Sequence, residues 1–193
     1  NKKIHISAQN CYHKDNFGAH TGNVSPFMIK KLGINYIIIG HSENRQDGDT
    51  DTMINKKIRA AIKNNLTVIF CIGETLKQKI KNSTNKVLTT QMNKGLHKIK
   101  SLKNIIVAYE PAWSIGTNKI PKKKDLVKIA LFIKSKLIVK FGNKNPAKLI
   151  YGGSVNPKNI KEFANIDDIN GFLIGGASQS DKKFIDIIKN YYR

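Results

Sequence analysis

The segment IIVAYEPAWSIGT, residues 105–117, decides the fold that we expect. Its first residues, Ile105 to Ala108, carry no polar side chain, which is typical of a strand covered on both faces in a parallel sheet. Glu110 follows the end of that strand. In parallel α/β folds, functional side chains lie at the carboxyl ends of strands, because the strand holds them rigidly while the next loop varies. Glu110 is therefore a candidate catalytic carboxylate, and a structural salt bridge is the alternative.

The loop that follows has the composition of a hinged lid. Pro111 and Trp113 stiffen its start. Ile115, Gly116 and Thr117 then give it an apolar tip with an exposed backbone N–H. A loop of this kind is suited to closing over a site at the strand ends.

Short apolar runs alternate with longer segments of helical period along the whole chain. The predicted strands are Ile4–Ala8, Tyr36–Gly40, Thr67–Ile72, Ile105–Tyr109, Lys148–Tyr151 and Gly171–Ile174. We expect helices between them, including residues 51–64, capped by Thr50 or Asp51, and one helical segment over residues 75–103. This alternation indicates βα units and a parallel sheet with right-handed crossovers, forming one α/β domain over residues 1–193.

The number of units suggests an incomplete barrel. Six units in 193 residues give about 32 residues per unit, and eight such units would approach the roughly 250 residues of a typical (β/α)8 barrel. We therefore expect a (β/α)8 barrel of which six units are visible.

The formal net charge of +21 and the pI near 10.0 point at first to a nucleic-acid partner, since a basic surface attracts phosphate backbones. All but three of the 34 basic residues are lysines, however, whereas arginine dominates specific recognition of bases and phosphates. The lysines are scattered over the helical segments without interleaved aromatic residues. We expect no specific nucleic-acid function, only salt-sensitive adhesion to polyanions.

Targeting signals and cysteines indicate the compartment in which the protein is located. No run of 18 apolar residues occurs, and the first residues, NKKIHIS, match neither a signal peptide nor a transit peptide. We expect a soluble, cytoplasmic protein without membrane contact. Cys11 and Cys71 lie far apart, and we expect both to be thiols, Cys71 as part of the core.

A second strand end carries a histidine. His41 follows the apolar run that ends in Gly40, and residues 42–44 begin a short helix. A helix N-terminus disfavours a positive imidazolium, so a neutral His41 could donate a hydrogen bond to a developing oxyanion. A hydrogen-bonded structural histidine is the alternative.

Two glycine pairs follow the last two predicted strands. Gly152-Gly153 and Gly175-Gly176 each lie at a strand end. Paired glycines let the backbone approach an anion closely, and helix N-termini supply N–H donors. Because a phosphate site after the last two strands is general among (β/α)8 barrels, these pairs predict one here.

Four motifs in order give the chain a family resemblance: GHSENR at 40–45, CIGE at 71–74, EPAWSIGT at 110–117 and YGGSV at 151–155. Together they resemble the triosephosphate isomerase family. The resemblance implies the TIM-barrel fold and the interconversion of dihydroxyacetone phosphate and glyceraldehyde 3-phosphate through an enediolate, with no metal and no cofactor.

The resemblance also implies roles for individual residues. Glu110 would be the base that moves the proton, and His41 would polarise the oxygens, which are the roles known for this family. Backbone N–H groups would hold the substrate phosphate at Gly116, Ser154, Gly175 and Gly176. Glu74 in CIGE would have a structural or supporting role.

The beginning of the chain matches the third strand of this family. Lys3 to Asn10 resembles that strand, and the sequence does not begin with Met. We expect a fragment of a longer protein, with a naturally short product as the alternative. The family's first-strand Lys and its neighbouring Asn have no counterpart in the sequence, so we expect this polypeptide alone to be nearly inactive.

The loop GAHTGNVS, Gly18 to Ser25, resembles the loop that inserts into a partner subunit in this family, which implies a homodimer. A mobile surface loop is the alternative. The family usually has Glu at the position of Asn23 and Arg at the position of Asn44, and these two are charge partners at the interface. We hypothesise that a neutral amide contact replaces this ion pair, which avoids leaving one buried charge unpaired.

Pro121 is a third departure from the family pattern. It falls where the closed lid of the family donates a backbone N–H to the hydroxyl that corresponds to Tyr151. Proline has no N–H to donate. We therefore predict that position 121 does not anchor Tyr151 and that Pro121 stiffens the end of the lid.

Two other functions stay open. A lyase or decarboxylase acting on a sugar phosphate could share the barrel, but it needs a catalytic lysine on an inner strand, and none stands at the predicted strand ends. The second alternative is a non-catalytic remnant that only binds partners.

Overall fold

Six parallel strands form a single sheet in the computed structural model, which describes residues 4–143 and 146–192. Each strand pairs with the next one along the chain, so the sheet order is β1-β2-β3-β4-β5-β6. The strands are β1 Ser7–Ala8, β2 Tyr36–Ile39, β3 Thr67–Ile72, β4 Ile105–Tyr109, β5 Lys148–Gly153 and β6 Phe172–Ile174. This curled parallel sheet confirms the incomplete (β/α)8 barrel.

Helices lie between the strands, as the alternation predicts. They are α1 Pro26–Lys31, α2 Ser42–Gln46, α3 Asp51–Lys63, α4 Leu76–Ile80, α5 Thr84–Gly95, α6 Lys123–Phe141, α7 Ile160–Ala164 and α8 Asp181–Tyr191. Short 3-10 helices cover Ala112–Ser114 and Gly176–Gln179. The expected cap of α3 is present, because the Thr50 hydroxyl accepts a hydrogen bond from the Met53 N–H at 3.2 Å.

The apolar runs predicted the central strands β3 and β4 well, because these strands are buried on both faces. β3 and β4 are paired on both sides, with Val68 opposite Ile105 and Ile72 opposite Tyr109. Their side chains pack into the buried core under α3 and α5, where Phe70 is fully buried. Strands without polar side chains are stable only in such a position.

Two sequence predictions are wrong in extent. The first strand is shorter than residues 4–8, and Ile4 and Ile6 are 96% and 72% exposed, because β1 has a paired strand on one side only. Residues 75–103 do not form one helical segment. Asn82 adopts a left-handed conformation at φ 52° and separates α4 from α5.

Two smaller points concern the rest of the chain. Lys3, at the start of the segment that resembles the third strand of the family, lies outside the described residues. Over residues 4–143 and 146–192, no helix is both long enough and apolar enough to cross a membrane.

Packing at the end of α5 predicts a measurable effect of one methyl group. A Cβ on Gly95 would overlap the ring of Phe70, which is fully buried. We expect Gly95→Ala to destabilise the fold by about 1–2 kcal/mol, because overpacking outweighs the gain of about 1 kcal/mol in helix propensity. Urea unfolding measures this. Lys94→Ala, at the exposed neighbouring position, is the control and should stay within about 0.5 kcal/mol of wild type.

Candidate active site

The carboxyl ends of the strands surround a cavity of about 300 Å³. Five of the six residues that the sequence singled out line it: His41, Glu110, Gly116, Gly175 and Gly176. The sixth, Ser154, lines an adjoining cavity of about 550 Å³, which shares the three glycines with the first. The structure therefore brings all six residues to one edge of the sheet.

His41 lies where β2 ends and α2 begins. Its Nδ1 faces the Glu43 backbone N–H at 3.4 Å and accepts a hydrogen bond there. A backbone N–H only donates, so Nδ1 carries the lone pair and the ring proton lies on Nε2. The Glu43 carboxylate is 3.7 Å from Nδ1 but 76% exposed, so water screens its charge. His41 therefore directs an N–H donor into the cavity.

Glu110 is the buried acidic group of this cavity. It is only 5% exposed, and its Oε1 lies 3.6 Å from His41 Nε2. Its Oε2 is buried and has no hydrogen-bond partner within the described part of the chain. Burial raises the pKa of Glu110 above its ordinary value, and the nearby His41 opposes this only in part. A carboxylate with a free, desolvated oxygen is suited to accepting a proton.

Two glycines leave the room that Glu110 needs. A Cβ on Gly152 of β5 would lie 2.6 Å from Glu110 Cγ and 2.7 Å from Oε1. A Cβ on Gly73 would overlap the Glu110 backbone carbonyl. The sequence predicted Gly152 as part of an anion-binding pair, but here it gives space to the carboxylate. Sequence reasoning included Gly73 in the CIGE motif but gave it no role.

Gln91 of α5 fixes the backbone beside Glu110, and sequence reasoning missed it. Its Oε1 accepts from the Gly73 N–H at 2.9 Å, and its Nε2 donates to the Gly73 carbonyl at 3.0 Å. The Glu110 N–H in turn donates to the Ile72 carbonyl at 2.7 Å. A buried polar side chain among apolar positions of a helix was the signal that could have revealed it.

Arg45 ties the ends of β2 and β3 together. Its Nε donates to the Gly40 carbonyl at 2.7 Å, and its NH2 group donates to the Cys71 carbonyl at 3.1 Å. Asp51 accepts from its NH1 group at 2.7 Å and neutralises the charge. The three contacts hold His41 and the strand that precedes Glu74 in fixed relative positions.

Glu74 anchors the start of the lid. It is buried, and its Oε1 accepts from Trp113 Nε1 at 2.8 Å and from the Tyr109 hydroxyl at 3.2 Å. The Lys79 ammonium lies 3.2 Å from the centre of the Trp113 ring, and a cation over an indole face is attractive. These contacts support the structural role expected of Glu74.

Glycines and a short helical turn also line the cavity. Gly176 begins a 3-10 helix, and the N–H groups of a first helical turn have no partner within the helix. Ser154 is turned toward the lid, because its hydroxyl donates to the Ser114 carbonyl at 2.5 Å and accepts from the Asn118 N–H at 3.0 Å. Within the described residues, no group of three or more His, Cys, Asp or Glu side chains could hold a metal ion.

The fold and the site together define a class. A parallel β/α barrel that carries a buried carboxylate and a histidine N–H donor at its strand ends, with glycine turns beside them, is typical of enzymes that transfer protons.

Comparisons with known proteins identify the family. The family model described as triosephosphate isomerase matches residues 1–191. The triosephosphate isomerase of Thermodesulfovibrio yellowstonii is 45% identical over 191 residues, which are 98% of this chain and 77% of that protein. That of Clostridium tetani is 42% identical over 193 residues, covering 97% and 75%. The crystal structure of the Bartonella henselae triosephosphate isomerase superposes with a TM-score of 0.89 at 36% identity, covering 98% of this chain and 77% of that one. The chain belongs to the triosephosphate isomerase family.

The raised pKa of Glu110 predicts a pH-dependent stability. A carboxyl whose pKa is higher in the folded than in the unfolded state stabilises the fold below its ordinary pKa, here 4.5, and this contribution is lost as the pH rises through the folded value. Glu110→Gln cannot ionise and should escape this loss. As the pH rises from 4.5 to about 8, its stability should therefore increase relative to wild type, because only the wild-type carboxyl ionises.

Urea unfolding of both proteins at the two pH values measures this difference. Glu162→Gln, a change at an exposed position on α7, is the matched control and should follow the wild-type profile. Parallel profiles for wild type and Glu110→Gln would show that burial does not raise the pKa of Glu110.

Proposed function

We propose that this protein interconverts dihydroxyacetone phosphate and D-glyceraldehyde 3-phosphate by proton transfer through an enediolate, with His41 and Glu110 as the catalytic residues. The observation that carries the proposal is the separation of 3.6 Å between His41 Nε2 and Glu110 Oε1 in a cavity that Gly116, Gly175 and Gly176 also line. Both groups line the same cavity, so they can reach neighbouring atoms of one small substrate bound beside them. Family membership supports the same reaction.

Glu110 shuttles the proton between the two carbons of the substrate. Its buried position raises its pKa, which makes the ionised carboxylate a stronger base. Its Oε2 has no partner among the described residues, so this oxygen is free to take the proton from carbon. A positioned base whose pKa lies closer to the working pH transfers protons more effectively.

His41 stabilises the charge that develops on the substrate oxygens. Its Nδ1 is occupied by the Glu43 N–H, so Nε2 donates toward the cavity. A donor fixed in place before the reaction needs no reorganisation as the oxyanion forms. The neighbouring Glu110 carboxylate and the His41 N–H thus act on adjacent atoms of one substrate.

The substrate phosphate binds where the two cavities meet. Gly116, Ser154, Gly175 and Gly176 lie around this region, and their backbone N–H groups suit an anion. Closure of the lid over the bound substrate excludes water and strengthens both electrostatic contacts with the reacting atoms. The high net charge of the surface is not needed for this binding.

A sugar-phosphate lyase is not favoured by any observation. Such an enzyme needs a reactive lysine at an inner strand end. Among the described residues, Lys57 is the buried lysine, and it lies on α3, where it binds Asp49 at 2.6 Å and Asn10 at 3.1 Å. Its position and its partners fit a structural ion pair.

Substitution of the two titratable groups tests the reaction. Glu110→Gln and His41→Gln keep polar side chains of similar size but remove the base and the imidazole donor. We expect each to lower kcat/KM by about 10²–10⁴-fold, since a positioned acid or base contributes that much. A coupled assay with dihydroxyacetone phosphate, on protein expressed from its complete gene, measures the rates.

Glu162→Gln is again the control, because the residue is exposed on α7 away from the cavity, and it should keep the wild-type rate. Full activity of Glu110→Gln would show that Glu110 is not the catalytic base. Absence of turnover in the wild-type protein would sink the proposed reaction.

We also propose that the protein is a homodimer joined through the Gly18–Ser25 loop. The loop is a formed unit, because the Tyr12 N–H donates to the Val24 carbonyl at 2.8 Å and the Asn23 N–H donates to the His20 carbonyl at 3.0 Å. Phe17 is 71% exposed beside it. Exposed apolar side chains next to a formed, projecting loop support a protein interface.

A double-mutant cycle tests how the interface is built. Asn23→Glu and Asn44→Arg together restore the charge pair of the family, whereas each alone introduces one unpaired charge. We expect each single substitution to weaken dimerisation and the pair to recover at least about 0.5 kcal/mol of coupling. Sedimentation equilibrium gives the dimer Kd of all four proteins. Strictly additive effects would show that the two positions do not meet.

Two further features complete the proposal. One continuous core supports a single domain over the described residues. Cys11 and Cys71 are both buried free thiols, which supports a reducing compartment such as the cytoplasm.

A further inference from the structure

The hydroxyl of Tyr151 lies beneath the lid, which we define as residues 112–119. Tyr151 is fully buried in β5, and its hydroxyl lies 3.2 Å from Ser114 Oγ. Burial raises the pKa of Tyr151 to about 12, so the phenol keeps its proton under all ordinary conditions. Ser114 is buried as well. Two hydroxyls that are both removed from water must satisfy each other or a neighbouring group.

The neighbouring groups fix the direction of these hydrogen bonds. Ser114 Oγ lies 2.5 Å from the Lys119 carbonyl, which only accepts, so Ser114 donates its single proton there. The contact with Tyr151 must then use the Tyr151 proton, with Ser114 Oγ as the acceptor. The result is a directed chain from Tyr151 through Ser114 to Lys119, which joins β5 to the start and the end of the lid.

Ser154 forms a second chain of the same kind. The Asn118 N–H donates to Ser154 Oγ at 3.0 Å, and Ser154 Oγ donates to the Ser114 carbonyl at 2.5 Å. Ser114 therefore takes part in both chains, once through its hydroxyl and once through its carbonyl. It is the residue at which the two ends of the lid and β5 meet.

Two further residues point to the same contact. A Cβ on Gly153 would lie 2.8 Å from Ser114 Oγ and would overlap the Tyr151 hydroxyl, so this contact requires a glycine there. Pro121, just beyond the lid, has no N–H with which to reach Tyr151. Among the described residues, Ser114 is the hydrogen-bond partner of the Tyr151 hydroxyl.

We propose that the Ser114 hydroxyl is the latch that holds the closed lid on Tyr151 and positions it for the reaction. The inference rests on the proposed function for its activity readout, but not for its binding readout. Ser114 acts through the lid and touches no reacting atom, so it is a positioning residue. Loss of the latch frees the lid to open while the enediolate is bound.

An enediolate that is not enclosed can decompose by elimination of its phosphate. The C–O bond to the phosphate breaks, its electron pair leaves with the phosphate, and the remaining enol tautomerises to 2-oxopropanal. The fraction of substrate lost as inorganic phosphate therefore reports how well the lid stays closed. A substitution that merely destabilises the fold lowers the amount of active enzyme and leaves this fraction unchanged.

The experiment compares Ser114→Ala, Tyr151→Phe and the double variant in the protein expressed from its complete gene. Trp113 is the one tryptophan in the sequence and lies in the lid, so its fluorescence reports lid closure during a titration with inorganic phosphate. We expect each single substitution to weaken the phosphate-dependent change about tenfold and to raise the eliminated fraction about tenfold. Because Tyr151→Phe removes only a hydrogen bond that Ser114→Ala also removes, the double variant should equal Ser114→Ala.

Ser135→Ala is the matched control. Ser135 is exposed on α6, where its hydroxyl donates to the Phe132 carbonyl at 2.8 Å, and neither readout should change. Additive effects in the double variant, or an unchanged eliminated fraction in Ser114→Ala, would overturn the latch. If the wild-type protein shows no isomerase turnover, the proposed function fails, and the fluorescence titration still decides the latch by itself.

Discussion

The hydrogen bond from the Glu110 N–H to the Ile72 carbonyl, 2.7 Å long, is the contact on which the site depends. It continues the pairing of β3 and β4 one residue beyond the last strand pair, so Glu110 is positioned by the sheet and not by a free loop. The approach is close enough that only glycine fits at position 73, and Gln91 fixes that glycine on both sides of its peptide backbone. The carboxylate positioned in this way is buried, although one of its oxygens has no hydrogen-bond partner among the described residues.

The fold was predictable from the sequence wherever burial dictates the residue type. β3 and β4 have the predicted bounds, since a strand covered on both faces tolerates only apolar side chains over its full length. The prediction failed where a neighbour decides the structure. Ile4 and Ile6 are as apolar as any core residue, but the pairing that would make them a strand is missing on one side. Asn82 ends α4 by its backbone conformation, which a helical period cannot reveal.

The candidate site divides in the same way. His41 and Glu110 could be found because each is a titratable residue directly after an apolar run, a pattern that is local in sequence. The roles of Gly152 and Ser114 could not be found, because they depend on what the fold places opposite them: the Glu110 carboxylate just beyond β4 for Gly152, and the Tyr151 phenol of β5 for Ser114. Gly152 matters because it leaves space, and Ser114 because of its hydroxyl. In both cases the partner is distant in sequence, so the residues next to them in the chain do not reveal the role.

The order of the sheet has a consequence for how the molecule is made. Among the described residues, each strand from β2 to β6 pairs with the strand that immediately precedes it along the chain, so none of these pairings waits for a later segment. Pairing between neighbouring units closes less chain, and so costs less chain entropy, than pairing between distant strands would. During synthesis on a ribosome, each newly emerged strand therefore finds its partner already exposed, and the sheet can grow by one strand at a time from the amino-terminal side.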